Sequence, residues 1–276
     1  MIAVVIGGGT MGAGIAHLLL AGGHDVTLAE AGADRAEAAH GAVLRSLTKA
    51  AERGKLAATP DELLARLTVV PDLAAAPSDA ELVVEAVPED ADLKRRVLTQ
   101  AASVCPRAVL ASNTSSLSIT ALAEGLPGER LVGMHFFNPV PVQELVELVH
   151  HAGVDPDVVA KVRAWAEALG KTVIEVRDSP GFATSRLGVA VGMEAIRMLE
   201  EGVASADDID TGMRLGYGWP MGPLKLTDLV GLDVRLAIAE HLAAELGPRF
   251  TPPALLRDKV DRGELGRKTG QGFFTW

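Results

Sequence analysis

Apolar residues in the first two thirds of the chain come in short dense runs separated by amphipathic stretches. Residues 2–6, IAVVI, are β-branched but for Ala3, as expected of a strand covered on both faces. Similar runs predict strands at 25–30, 81–87, 108–114, 130–137 and 172–176. Between them, 3.6-residue periodicity predicts helices at about 11–21, 33–54 and 90–102. Strands alternating with helices predict an α/β fold with a doubly wound, mostly parallel sheet. Residues 145–149, LVELV, are apolar around one glutamate and read as helix. The pattern changes at DSPGF, residues 178–182, after which no strand is expected. Helices are predicted instead at about 183–201, then from Ser205 with Asp208 as a variant capping box, then at 223–246 and 252–262. The predicted division is residues 1–179 and an all-α unit of residues 180–276.

Bulk composition narrows the partners. The chain has 276 residues, 48% of them hydrophobic, enough for two cores. A net charge of −10 argues against nucleic acid or an anionic membrane surface as the main partner. The lone Cys105 cannot build a disulfide framework. No apolar run reaches the roughly 18 residues that span a bilayer. MIAVVIGGG reads as a strand start without a leader, so a cytoplasmic protein is expected.

The loop after the first strand carries the first chemistry. Gly7, Gly9 and Gly12 form G-x-G-x-x-G between a strand and a helix, the arrangement of a Rossmann-type dinucleotide site. The glycines allow a tight turn and a close pyrophosphate, and the helix that opens at Thr10 and Met11 offers unpaired N–H groups. Glu30 ends the second strand, where an acid accepts hydrogen bonds from ribose hydroxyls and repels a 2′-phosphate. This predicts NAD over NADP, with Arg35 close enough in sequence to soften the preference. Asn113, at the end of the strand 108–114, joins the expected cofactor-binding set.

The stretch GMHFFNPVPVQELVELV places His135 at a strand's carboxyl end, where ligands of such sheets bind. A histidine there is suited to take a proton from an alcohol as hydride leaves. Glu147, twelve residues on and among apolar neighbours, needs a partner if buried. The stiff NPVP connector can return the chain so that Glu147 meets His135, or Glu147 can pair with an arginine elsewhere.

ASNTSSLSIT, GMHFFNPVPV, DSPGF, EGVASADDID, MGPLKLTDLVGLD and LGRKTGQGFF together resemble the 3-hydroxyacyl-CoA dehydrogenase family, including its bacterial 3-hydroxybutyryl-CoA members. The resemblance spans the chain. It implies NAD-dependent interconversion of an L-3-hydroxyacyl-CoA and a 3-ketoacyl-CoA; no metal is expected either, because His150 and His151 have no cysteine or second histidine at a metal-ligand spacing. It implies that His135 is the general base, Glu147 its orienting partner and Ser115 a contact to the reacting oxygen. Asn138 supports the site, and Glu89 and Lys94 lie by the cofactor. The family's P-G-F-x-x-N-R becomes PGFATSR, so Ser185 stands at a substrate-contacting asparagine. Trp219 stands where histidine is common.

Arg45, Lys49 and Arg53 recur every four residues on one helical face, with Lys55 just beyond. Arg53 and Lys55 are the expected contacts to coenzyme A phosphates; pairing with Glu52 is the plainer alternative. His17 is read as a packing residue, His150 and His151 as loop residues, and Met193 and Met198 as core or interface residues. Two other functions fit parts of the pattern: a gulonate-type sugar-acid dehydrogenase, and an NAD-binding protein without turnover. The 3-hydroxyisobutyrate type needs a lysine that the stretch between Lys171 and Lys225 lacks. A homodimer through the helices of residues 183–246 is expected.

Overall fold

Eight strands form one sheet in the computed structural model, which describes residues 1–276. They are β1 (Ile2–Ile6), β2 (Asp25–Ala29), β3 (Leu67–Val70), β4 (Leu82–Glu85), β5 (Val109–Ser112), β6 (Leu131–Phe136), β7 (Leu145–His150) and β8 (Thr172–Arg177). Their order is β3-β2-β1-β4-β5-β6-β7-β8. Neighbours run parallel except β6 and β7. Around the sheet lie α1 (Thr10–Ala21), α2 (Ala33–Ala51), α3 (Pro60–Leu64), α4 (Ala91–Val104), α5 (Ile119–Ala123) and α6 (Pro156–Ala168). The central strands are buried along their length because helices pack on them, which is why they read as continuous apolar runs.

Two strands escape the sequence pattern. β3, LTVV, is four residues long at the sheet edge and is only partly buried. β7, LVELVH, falls where a helix is expected; both its faces are covered, so no two-residue alternation marks it. Glu147 is therefore a strand residue, and His150 ends that strand rather than lying in a loop.

The structure divides at Met1–Ser179 and Pro180–Trp276. The second unit is helical: α7 (Thr184–Glu200), α8 (Ala206–Gly216), α9 (Pro223–Val230), α10 (Leu232–Leu246) and α11 (Ala254–Asp261). The single helix expected over 223–246 is two, broken at Gly231, whose φ of 107° an L side chain rarely adopts. Only half of the capping box at α8 forms. Ser205 Oγ accepts from the Asp208 amide, while the Asp208 carboxylate takes the Ser205 hydroxyl rather than the Ser205 amide. Met193 lies in this unit's core, with Met198 packed against it. Two buried acids are answered by backbone. Asp210 accepts from the Leu224 and Lys225 amides at the start of α9. Asp228 accepts from the Phe273 and Phe274 amides and the Trp276 indole.

Candidate active site

The glycine loop forms as its spacing demands. Gly7 has φ +93°, and a Cβ there would lie 2.9 Å from the Ala86 carbonyl oxygen. A Cβ on Gly12 would lie 1.7 Å from the Gly7 oxygen, so α1 starts against the turn only because that residue is glycine. Outside Gly9 the space is open. The loop borders a groove of about 1010 Å³, lined by Gly7, Gly9, Thr10, Met11, Glu30 and Arg35 among others. The Glu30 carboxylate accepts from the Gly8 amide at 2.6 Å, which ties the end of β2 to the loop. A groove of this size, with an open glycine wall, a helix N-terminus and an acid at the second strand, fits a dinucleotide.

Other expected cofactor residues sit off that groove. Gly12 lies behind the loop. Asn113 accepts from the Phe136 amide through Oδ1, joining the ends of β5 and β6. Lys94 is 1% exposed, and its Nζ lies 2.7 Å from Glu85 and 3.3 Å from Glu89. Glu85 is itself fully buried and accepts from Ser112 Oγ and the Val87 amide. Glu89 accepts from Thr114 Oγ1, Ser116 Oγ and the amides of Ser115 and Ser116, and Ser115 Oγ is 3.4 Å away. Burial alone would raise the Glu89 carboxyl. The Thr114 hydroxyl, the Lys94 ammonium, the Ser116 hydroxyl and the Ser115 amide together hold it below the usual carboxylate range. Glu85, Lys94 and Glu89 thus fix the loop that carries Ser115. Glu85 was legible in principle, because a glutamate inside LVVEAV needs a buried partner.

His135 and Glu147 are direct cross-strand partners of the antiparallel β6–β7 pair. His135 Nδ1 donates to Glu147 Oε2 at 2.6 Å, with Glu147 fully buried and His135 8% exposed. A carboxylate so placed fixes the ring and can stabilise an imidazolium. The Phe137 ring packs 4.6 Å from the imidazole. The connector between the strands is held by a residue the sequence reading passed over. Lys171 is buried, and its Nζ donates to the carbonyls of Val140 and Gln143 at 2.7 and 2.6 Å. Burial lowers the Lys171 ammonium, partly offset by Glu144.

Two further cavities border the connector. One, of about 260 Å³, is lined by Thr10, Arg45, Ser46 and Asn138, which puts the glycine helix and the connector on one space. The other, of about 460 Å³, is lined by Lys49, Arg53, Lys55, His17 and the connector's Pro139 and Val142. Ser46, Pro139 and Pro141 border both. Arg53 and Lys55 are exposed, and neither forms an ion pair, so the pairing with Glu52 does not occur. Ser185 belongs to the second unit, in the first turn of α7. Trp219 is half-buried, and nothing in the structure explains its replacement of histidine.

Residues 2–179 match the profile of the NAD-binding domain of 3-hydroxyacyl-CoA dehydrogenase, and residues 181–276 match that enzyme's C-terminal domain. The chain belongs to the 3-hydroxyacyl-CoA dehydrogenase family. It is accordingly an NAD-dependent oxidoreductase. A probable 3-hydroxybutyryl-CoA dehydrogenase of Deinococcus radiodurans is 41% identical, with 99% of each chain covered. A 3-hydroxyadipyl-CoA dehydrogenase of Escherichia coli is 40% identical over 99% of this chain and 58% of its own. The crystal structure of (S)-3-hydroxybutyryl-CoA dehydrogenase PaaH1 from Ralstonia eutropha superposes with a TM-score of 0.94 at 38% identity, covering 100% of this chain and 98% of that one. The glycine-loop groove lies within the part of the chain that matches the family's NAD-binding domain.

Proposed function

We propose that the enzyme interconverts a 3-hydroxyacyl-CoA and its 3-ketoacyl-CoA, with His135 as general base and Glu147 as the carboxylate that orients it. The observation that carries this is the buried 2.6 Å hydrogen bond from His135 Nδ1 to Glu147, set by cross-strand register. In the oxidation direction His135 Nε2 takes the proton of the substrate hydroxyl, and Glu147 stabilises the imidazolium that results. In reduction the same nitrogen returns the proton. NAD, when bound along the glycine loop, supplies the hydride acceptor. Ser115, held through Glu89, hydrogen-bonds the reacting oxygen, and Asn138 at the mouth of the connector supports it. Arg53 and Lys55 meet the coenzyme A phosphates, in keeping with their lack of acidic partners. Glu30 favours NAD over NADP.

The second unit has two parts in this reading. Ser185 is a substrate contact, and exposed apolar residues of the second unit, Leu187, Leu215 and Tyr217, support a homodimer. A single monomer peak in gel filtration would remove the dimer. No helix is long and apolar enough to cross a membrane, and the one buried cysteine suits a reduced cytoplasm. The test is NADH oxidation at 340 nm with acetoacetyl-CoA, beside NADPH and beside free acetoacetate. Turnover that needs both the CoA moiety and NADH is expected. Equal rates without CoA would favour a sugar-acid enzyme, and no turnover a binding protein.

A further inference from the structure

The order of the sheet also orders the glycine-loop groove. Its strands run β3-β2-β1-β4, and the carboxyl ends of three of them border the groove in turn. Gly7 and Gly9 follow β1, Glu30 follows β2, and Pro71 and Asp72 follow β3. Neighbouring strands stand about 4.8 Å apart, so each loop is one step further from the glycine turn. A dinucleotide with its pyrophosphate at the glycine loop and a ribose at Glu30 therefore carries its base towards β3. The walls at that end are apolar. Leu73 follows Asp72, and Leu93 and Val97 come from one face of α4, which packs on the turn after β3. Gln100 continues the same face of α4. Asp72 and Gln100 are the polar side chains of this end, and both are exposed.

Their arrangement is selective. Asp72 Oδ1 accepts from the Ala74 amide at 2.9 Å, which caps the 3-10 turn Leu73–Ala75 and fixes the carboxylate. The other oxygen of Asp72 has no protein partner, and the residue forms no ion pair. Gln100 Nε2 lies 3.5 Å from Asp72 Oδ1, too long for a strong hydrogen bond, so the amide can donate to a ligand. The two side chains thus offer an acceptor beside a donor. Adenine presents the complement: a 6-amino donor flanked by ring-nitrogen acceptors. Hypoxanthine reverses it, with a carbonyl oxygen at position 6 and a proton on N1. We infer that Asp72 and Gln100 read the base of the cofactor. Asp72 accepts from the 6-amino group and Gln100 donates to the ring nitrogen beside it, so the enzyme selects an adenine dinucleotide over its 6-oxo analogue. This inference rests on NAD lying along the glycine loop, as proposed above.

The test compares NADH with reduced nicotinamide hypoxanthine dinucleotide. The two differ only at position 6 of the purine and carry the same fluorescent nicotinamide, so one signal gives both Kd values on the full-length enzyme. NADH is expected to bind at least about 5-fold more tightly, the lower end of what a base-edge contact pair discriminates. Asp72→Asn keeps the cap, because its amide oxygen still accepts from Ala74, but replaces the second acceptor with a donor. The preference is expected to fall to about parity or to invert. Gln100→Ala is expected to lose part of it. AMP is expected to raise the melting temperature of the parent more than IMP does, and not that of Asp72→Asn. Equal Kd values for the two dinucleotides in the parent would overturn the inference, and this comparison needs no variant. An undiminished preference in Asp72→Asn would place the readout elsewhere and overturn it too. Binding of neither dinucleotide would overturn the assignment of the groove to NAD, and the inference with it.

Discussion

Two buried histidines, His17 on α1 and His135 on β6, look alike until their partners are compared. Both are under a tenth exposed, at 3% and 8%. Both are held through Nδ1, at 2.7 Å from Ser46 Oγ and 2.6 Å from Glu147 Oε2. The neighbours differ in charge. His17 faces a neutral hydroxyl, with the Lys171 ammonium near. Burial first, and then that positive charge, lower its pKa from 6.5 to about 4. His135 faces a fully buried carboxylate that can balance an imidazolium. Burial and hydrogen-bond length do not tell these two histidines apart; the charge of the group behind each one does.

The largest effect expected from breaking this contrast is on turnover. His135→Gln should lower kcat/KM for acetoacetyl-CoA by about 10²–10⁴-fold, the usual worth of a general base, while NADH still binds when followed by its fluorescence. Glu147→Gln keeps the shape and a hydrogen-bonding group but removes the charge, and should cost on the order of 10²-fold in steady-state kinetics. The basic stripe should show a smaller effect, on KM rather than kcat. Lys55→Ala and Arg53→Ala each remove an exposed charge. Each should raise KM for the CoA substrate by about 2–5-fold, less as salt is added, since such contacts are worth up to about 1 kcal/mol. The smallest effect concerns His17 and stability. Its folded pKa is depressed, so between pH 6.5 and about 4 the unfolded chain binds a proton that the folded chain does not. The contribution of neutral His17 is therefore present above pH 6.5, is lost as pH falls through that window and levels off below about 4. His17→Gln should flatten the dependence of melting temperature on pH there. Parallel curves for parent and variant would contradict it.

The contrast also marks what the sequence could show. The glycine loop and its helix were legible because strand, turn and acid occur in a fixed order within thirty residues. The residues alone leave the pairing of His135 with Glu147 as one of two alternatives, reached by a connector that returns a helix. The real device is strand register, hidden because LVELVH is covered on both faces and shows no alternation. The resemblance puts Lys94 by the cofactor but not its partner; only the sheet shows that Glu85, nine residues earlier, ends a strand beneath it. Lys171 and Ser46 carry no local signal, since their partners lie 28–31 and 29 residues away. Arg235 looks like a surface arginine in DVRLAIAEH until α10 turns it inward. Periodicity reports which face is covered, not which charge waits there.

The most direct measurement is a double-mutant cycle on kcat/KM with acetoacetyl-CoA and NADH, using His135→Gln, Glu147→Gln and the two together. If Glu147 acts only through His135, Glu147→Gln costs about 10²-fold in the parent and almost nothing once His135 is gone. Costs that multiply in the double variant would show two independent groups and contradict the account.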